Sequence, residues 1–333
     1  MDTTTHALAG YIIAKTGIGR DTGKWGTIAG VSAALLPDAD LVLAFLGTEF
    51  SLKYHRNLTN SVFLMIPFSL VLAWVFVKIS KMRRFWTFFL IGVVEILAHT
   101  FLDLATSYGT MILSPFSDRR FTLDWLFIVD FFLAGAFLIP LVALHLWKGR
   151  SQSLARISVT LAALYIGLCA YNHSWALSLA RDFIGREGLV AEEVASLPQP
   201  LSPFRWGNYI VTEKEIYRGF VNLIGRGEQD PAHGGNFLTR FLARYQPISR
   251  LQYGRLEKFD SSAWVENALG LEGVKRFYWF ARFPVARQSV DANGNHRVEF
   301  FDLRFGIIDG MRRPFLYVVD FDREGNVVFQ GFL

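Results

Sequence analysis

Long apolar runs occur only in the first 180 residues of the chain. A helix needs about 20 apolar residues to cross about 30 Å of hydrocarbon, and helix is expected because lipid offers backbone amides no partners. Five runs predict membrane spans, the last weakened by Asn172 and His173: about 25–46, 60–79, 85–107, 125–147 and 157–179. A shorter helical pattern over 6–18 predicts a half-span or re-entrant helix.

The sequence becomes charged and aromatic after the proline-rich stretch 198–203. Short apolar runs predict strands at 206–212, 251–259, 275–287, 296–305, 315–321 and 326–332. Turn sequences at 291–295 and 322–326 predict two hairpins, and helices are expected near 236–245 and 262–269. The predicted fold class is a polytopic α-helical membrane domain over about 1–180, followed by a soluble, extramembrane α+β domain with an antiparallel sheet over 198–333.

Composition and charge agree with a membrane location. The chain is 52% hydrophobic and 19% charged, with a mean hydropathy of +0.28, whereas soluble domains are about 25% charged. The net charge is +5, but the basic clusters border apolar runs, which favours a role in topology over nucleic-acid binding. The densest basic cluster, at 78–84, predicts a cytoplasmic loop and an external C-terminal domain. The single cysteine, Cys169, excludes a disulfide framework or a cysteine-based zinc site within one chain.

The third predicted span contains Glu95, His99 and Asp103, spaced by four residues and therefore on one helix face. Ionisable groups in a span cost roughly 2.5–3.5 kcal/mol each at the bilayer centre, so they are functional candidates by default. The pair of His99 and Asp103 offers an imidazole and a carboxylate one turn apart, which suits Zn²⁺ or a similar ion. The alternative interpretation is a polar contact between helices.

More candidate ligands lie near the outer ends of the predicted segments, at the same depth as His99 and Asp103: His6, Asp38, Asp40 and His55. Their convergence predicts a charged pocket that holds one or two metal ions and activates a bound water. For Asp38 and Asp40 alone, the alternative is an interfacial loop between two shorter helices, where carboxylates cost little.

Two adjacent arginines, Arg119 and Arg120, lie in the outer loop beside this predicted pocket. Forked guanidinium groups can hold a phosphate through charge-assisted hydrogen bonds. Anchoring to lipid headgroups is the alternative role.

Five short motifs follow one another along residues 1–130: Met1-Asp2 with His6, Pro37-Asp38-Ala39-Asp40, His55-Arg56-Asn57-Leu58-Thr59-Asn60-Ser61, His99-Thr100-Phe101-Leu102-Asp103, and Tyr108-Gly109-Thr110 with Ser114-Pro115-Phe116-Ser117. In this order they resemble the membrane-bound metal-dependent hydrolase family of YdjM-like bacterial inner-membrane proteins. That family is thought to be distantly similar to zinc-dependent phospholipase C and the P1-type nucleases, which implies phosphoester chemistry.

The resemblance implies a divalent metal, Zn²⁺ before Mn²⁺ or Mg²⁺, with ligands at His6, Asp38, His55, His99 and Asp103. It also implies supporting roles for other polar residues. Asp40 and Asp124 are further ligands or supporting carboxylates, Asp40 or Glu95 is a candidate base, and Arg56 joins Arg119 and Arg120 as a candidate substrate contact. One position departs from the family pattern His-Arg-x-x-Thr-His-Ser: its second histidine is Asn60 here, which either loses a metal ligand or orients substrate.

The sequence therefore predicts an inner-membrane hydrolase acting on phosphoester or related bonds of a lipid or lipid-linked substrate at the outer membrane interface. A transporter that relays protons or metal ions is the first alternative, although no repeat-related second helix break accompanies residues 37–40. A catalytically inactive, membrane-anchored binding protein is the second, because of Asn60.

Overall fold

The computed structural model of the protein describes residues 1–146, 151–225, 237–292, 294–306 and 314–333. These residues form two compact units, one of Met1–His173 with Pro198–Pro203, and one of Ser174–Leu197 with Phe204–Leu333. An N-terminal helical region with two to three candidate spans is followed by antiparallel sheets, which confirms the predicted fold class.

Helices dominate the N-terminal part of the chain: α1 Thr3–Ile13, α2 Lys24–Leu35, α3 Thr48–Tyr54, α4 Met65–Ser80, α5 Phe85–Leu104, α6 Phe131–Leu146 and α7 Ser151–Glu187. Asp2 caps α1, since its carboxylate accepts hydrogen bonds from the backbone amide and the hydroxyl of Thr5. A π-helical turn, Ala14–Ile18, follows α1 and ends the predicted half-span, which begins three residues earlier than expected.

Small residues bring α1 against α2. A Cβ atom added to Gly10 would lie 2.5 Å from the Cβ of Ala34, and one added to Gly30 would lie 2.8 Å from that of Ala14. Neither position has room for a larger side chain. The other side of α2 packs against α4 and α5 through a cluster that includes Ala33 and Phe88. Helix α2 therefore lies between α1 and the pair formed by α4 and α5.

The prediction of one continuous helix over 25–46 is wrong. Helix α2 ends at Leu35, and Leu36–Leu46 continue as 3-10 helix. The cause is Pro37, which has no backbone N–H to continue the α-helical hydrogen bonding. The alternative of shorter elements around Asp38 and Asp40 describes this segment better.

The other predicted spans correspond to helices with shifted ends. Helix α4 begins at Met65 instead of 60, and it follows Thr48–Asn60 after a bend of 75°. Helix α6 begins at Phe131, where the carboxylate of Asp130 accepts from the first backbone amides, and α7 extends well beyond 157–179 on both sides. By length and composition, α5 and α7 can each cross a membrane. The bent pair of Thr48–Asn60 and α4 makes a third candidate if its two parts cross as one span. Five crossings and their orientation stay predictions.

After α7, the described residues contain nine strands, three α-helices and the 3-10 helix Ile248–Arg250. The strands and α-helices are β1 Glu193–Pro198, β2 Arg205–Val211, β3 Glu215–Asn222, α8 Phe237–Ala243, β4 Gln246–Pro247, β5 Gly254–Glu257, α9 Ala263–Leu269, α10 Glu272–Phe280, β6 Pro284–Val290, β7 His296–Asp302, β8 Tyr317–Phe321 and β9 Val327–Phe332. One sheet has the order β1-β2-β3-β4, with β5 on β3, and the other is β6-β7-β8-β9. Both predicted hairpins form, although Asn293 in the first turn lies outside the described residues.

One predicted strand needs correction, and the sequence does not predict three of the observed strands, β1, β3 and β4. The stretch 275–287 is divided between α10 and β6, because Val274, Phe277 and Phe280 have helical spacing and are all buried. Strand β1 starts the first sheet before the expected domain boundary at 198.

Candidate metal centre

Three buried side chains from separate elements converge in the N-terminal unit: His6 of α1, Asp38 of the 3-10 segment and His99 of α5. Each offers one ligand atom, and these atoms all lie within 4.8 Å of one another. The kink at Pro37 brings Asp38 to the end of α2, close to the helices that carry the two histidines. This set of two imidazoles and one carboxylate matches the donors that Zn²⁺ prefers.

The tautomer of His99 shows which of its nitrogens can bind a metal. Its Nδ1 lies 2.6 Å from the carbonyl oxygen of Ala34, which can only accept, so Nδ1 carries the proton. Its Nε2 lies 3.6 Å from Oδ1 of Asp38 and 3.3 Å from Oδ2 of Asp103, yet it is buried without a hydrogen bond. In a neutral imidazole this atom presents a lone pair to two carboxylates. A cation bound between these groups would remove that repulsion, so the residues present fit a metal.

His6 completes the nitrogen donors. Its ring stacks on that of His99, with centroids 3.6 Å apart and planes 18° from parallel. Its Nε2 lies 3.1 Å from Oδ1 of Asp103, and its buried Nδ1 has no hydrogen-bond partner. The hydroxyl of Thr3 donates to Oδ2 of Asp38 over 2.9 Å, and the other oxygen of that carboxylate, Oδ1, faces His99. Thr3, three residues before His6, was not among the predicted site residues.

Asp103 lies beside the three-residue group and is held by several donors. A guanidinium nitrogen of Arg56 is 2.9 Å from Oδ1, the amide nitrogen of Asn60 donates to Oδ2 over 2.9 Å, and the Met1 amino group contacts Oδ1. His99 and Asp103 share one helix face, as predicted, with 3.3 Å between Nε2 and Oδ2 but no hydrogen bond. Direct ligation of a metal by Asp103 stays a prediction, because both of its oxygens are already engaged.

His55 pairs with Asp40 and is not part of the three-residue group. Asp40 accepts from Nδ1 of His55 over 2.9 Å, from the backbone amide of Arg56 over 2.9 Å and from the hydroxyl of Thr59 over 2.8 Å. The side chain of His55 is 13% exposed, more than the 6% of Asp38 and the 0% of His99. Metal ligation by His55 therefore stays a prediction, and its observed contact is an oriented hydrogen bond to a carboxylate.

Arg56 contacts both Asp103, beside the three-residue group, and Asp40, the partner of His55, and it adds a positive charge between them. Its backbone has a positive φ of 60°, which turns the side chain inwards, and it is 3% exposed. The guanidinium also donates to the hydroxyl of Thr106 over 2.9 Å and lies 4.9 Å from the ring centroid of Tyr108. Three buried carboxylates, those of Asp38, Asp40 and Asp103, are accompanied by two buried cationic groups, the Arg56 guanidinium and the Met1 amino group, so one negative charge is left over. A divalent cation would compensate it.

Residues 1–176 match the family model described as YdjM inner membrane protein, which covers more than half of the chain and all the residues of the site. The chain belongs to the YdjM family. Uncharacterized protein YfhP of Bacillus subtilis (strain 168) is 24% identical over 318 residues, which cover 92% of this chain and 87% of that protein. No solved structure matches the chain. The predicted inner-membrane location is thereby confirmed, and so is the YdjM family expected from the five motifs. The metal-dependent hydrolase activity expected with that family stays a prediction.

Four other predicted residues of this YdjM protein lie outside the three-residue group. Glu95 is buried one turn before His99, and Asp124 is buried with a positive φ of 58°. Arg120 donates to the carbonyl oxygens of Gly109 and Leu52, whereas Arg119 is exposed over the ring of Phe121. The described contacts give Arg120 a structural role in the loop, and phosphate binding by either arginine stays a prediction.

Proposed function

We propose that this YdjM protein is a membrane-embedded metal-dependent hydrolase whose divalent ion is held by His6, Asp38 and His99. The supporting observation is the unpaired Nε2 of His99, which faces two carboxylates while Nδ1 is fixed by the carbonyl of Ala34. Histidine ligands are commonly oriented in this way by a carbonyl at the other ring nitrogen.

Zn²⁺ suits the donor set best. Three protein ligands with one position left for water is the usual arrangement of a catalytic zinc site, whereas Mg²⁺ favours oxygen donors and Mn²⁺ is intermediate in this respect. When bound, such an ion supplies Lewis acidity and lowers the pKa of its water to about 7.

The surrounding residues of the chain position and balance the site. Arg56 and Asn60 fix Asp103, and Asp103 in turn fixes His6. Asp40 uses both oxygens to hold His55, Arg56 and Thr59, so we assign it a positioning role for His55. We extend the proposal to phosphoester bonds of lipid-like substrates because the site is built on membrane helices and because of the family's distant likeness to phospholipase C.

Hydrolysis of a generic phosphodiester by detergent-purified protein tests the proposal. Activity should depend on added Zn²⁺, Mn²⁺ or Mg²⁺ and should disappear in His99→Ala. The control is His296→Ala in β7, where the imidazole stacks on Trp264 with centroids 4.0 Å apart, far from these ligands in sequence. Equal activity in His99→Ala and in the natural protein would refute the assignment.

A metal-binding protein without hydrolytic activity is the second candidate, because of Asn60. This residue is fully buried and donates to Asp103 in place of the family's histidine, so the natural site has one nitrogen ligand fewer. Metal binding in the absence of hydrolysis would favour this candidate.

A further inference from the structure

Large apolar side chains project from the segment that carries Asp38, Asp40 and His55. Phe45 is 91% exposed, and Phe116, in the loop after α5, is 77% exposed. Together with four other exposed residues they form a surface that we call the apolar rim: Val42, Phe45, Leu46, Phe50, Phe63 and Phe116. The rings of Phe63 and Phe116 meet edge to face with centroids 5.0 Å apart, which joins the two loops. Water-exposed apolar patches of this kind mark interaction surfaces.

The apolar rim is followed in the chain by an exposed apolar side of α4. Just after Phe63, this helix exposes Ile66, Leu70, Val71 and Trp74. The preceding stretch, Thr48–Asn60, makes an angle of 75° with α4. If α4 crosses the bilayer near its normal, this stretch runs close to the membrane plane, at the level where α4 enters the hydrocarbon.

Basic and aromatic residues accompany the apolar rim. Lys53 is exposed, with its ammonium 5.3 Å from the ring centroid of Tyr54, and Arg119 is exposed 5.2 Å from that of Phe121. Interfacial segments combine large apolar residues that enter the acyl boundary with lysine and arginine that stay among anionic headgroups. The same loops also expose Glu49 and Asp118, so the edge of the surface carries both signs of charge, as a zone of lipid headgroups tolerates. A second copy of the chain would not require the apolar rim to run on into the exposed apolar side of α4, whereas the acyl boundary of a bilayer extends along both.

We propose that the apolar rim is seated in the headgroup and acyl boundary of the bilayer, so that Asp40 and His55 lie at headgroup depth. The ligand of the neighbouring metal centre would then be an amphiphile that reaches it from the leaflet. This second step rests on the proposed function. The location of the rim does not rest on it, because that location follows from the exposure of the apolar side chains and from the bend before α4.

Site-directed spin labelling tests the location without any activity measurement. The chain has one cysteine, and Cys169 is buried, so a Cys169→Ala background accepts single nitroxide labels. Labels are placed by Phe45→Cys, Phe116→Cys and Lys53→Cys in full-length protein in phosphatidylcholine and phosphatidylglycerol vesicles. Val71→Cys is the lipid-facing control, and Glu324→Cys, in an exposed turn, is the aqueous control.

Collisions with oxygen and with a water-soluble nickel chelate are then measured for each label. Labels at positions 45 and 116 should resemble the one at 71, with frequent oxygen collisions and at least a few-fold fewer nickel collisions than at 324, and the label at 53 should be intermediate. Nickel collisions at 45 and 116 equal to those at 324 would place the rim in water. Exclusion of both reagents would place it against protein. Either result overturns the proposal, and a failure to hydrolyse phosphoesters affects neither measurement.

Discussion

Asp38 and Asp40 form a matched pair for testing the metal centre. They are two residues apart in the 3-10 segment and are equally buried, each with a relative exposure of 8%. Their partners differ. Asp38 lies with His6 and His99, whereas Asp40 holds His55, Arg56 and Thr59. Asp38→Asn should therefore remove the metal, and Asp40→Asn should not.

The expected loss of metal affinity in Asp38→Asn follows from the negative charge that the substitution removes. An asparagine at position 38 can still accept the hydroxyl of Thr3 through its amide oxygen, so the substitution removes a negative charge and keeps this contact. Contacts one step beyond the ligands contribute about 10- to 100-fold to metal affinity, and a direct carboxylate ligand should exceed that. We expect at least about 100-fold weaker binding, which is about 2.8 kcal/mol at 1.4 kcal/mol per factor of ten. Asp40→Asn should change affinity by less than about tenfold, since it touches none of the three ligands in the described contacts.

The assay is competition between the purified protein and a chelating dye for Zn²⁺, together with elemental analysis after desalting. Far-ultraviolet circular dichroism shows that each variant is folded. Full metal retention in Asp38→Asn would refute the three-residue group. An equal loss in the two variants would show that His55 and Asp40 belong to the same metal site, as the sequence predicted.

Three further predictions concern the scaffold and the topology. Arg56→Ala should destabilise the protein by about 3–5 kcal/mol, because it leaves the buried Asp103 without its guanidinium partner. Thermal unfolding in detergent measures this loss of stability. The control is Arg119→Ala at an exposed position, whose stability should lie within about 0.5 kcal/mol of that of the natural protein. Gly10→Ala should lower the stability of the protein by about 1–3 kcal/mol and weaken metal binding, since the new Cβ would meet Ala34 and push α1, with His6, away from α2. Gly135→Ala in α6, where a Cβ meets nothing within 4 Å, is the control for the same metal titration. Proteases added to intact spheroplasts should degrade residues after 204 if the predicted orientation is correct, and protection of this region beside a degraded external marker would reverse the orientation.

Helix geometry explains which parts of the site the sequence could predict. His99 and Asp103 had to share a face because they are four residues apart, and the structure places Nε2 of His99 3.3 Å from Oδ2 of Asp103. Pro37 indicates a break in the expected span but not the extent of that break, since the residues after its missing N–H are 3-10 helix through Leu46.

The sequence does not predict which side chain pairs with His55. His55 and Asp40 belong to irregular segments, and their contact depends on turns such as the positive φ of Arg56. No periodicity relates such residues, so their motif could suggest a common site without showing which partner each side chain takes. The helix α10 was missed for a different reason: a short apolar run between turns fits both a strand and a helix until buried contacts select one spacing.

Asn60 is the position at which the two candidate functions can be told apart by experiment. It is fully buried, and its amide nitrogen donates to Oδ2 of Asp103, which lies 3.3 Å from Nε2 of His99. A histidine at this position can donate one ring N–H to the same carboxylate and present its other nitrogen as a donor for metal. Asn60→His should therefore tighten metal binding by about tenfold or more, provided that the imidazole fits the space beside Asp103.

Phosphodiester hydrolysis by the two forms then separates the candidate functions. If three ligands suffice, the natural protein is active, Asp38→Asn abolishes that activity, and Asn60→His changes affinity more than turnover. If the missing imidazole is essential, the natural protein binds metal without hydrolysis and Asn60→His gains activity. Asn60→Asp is the control, because it keeps the size of the side chain but replaces the donor to Asp103 with a second negative charge, which should disturb the site without supplying nitrogen. Activity gained in Asn60→Asp as well as in Asn60→His would show that added charge, and not an imidazole ligand, was what the natural site lacked.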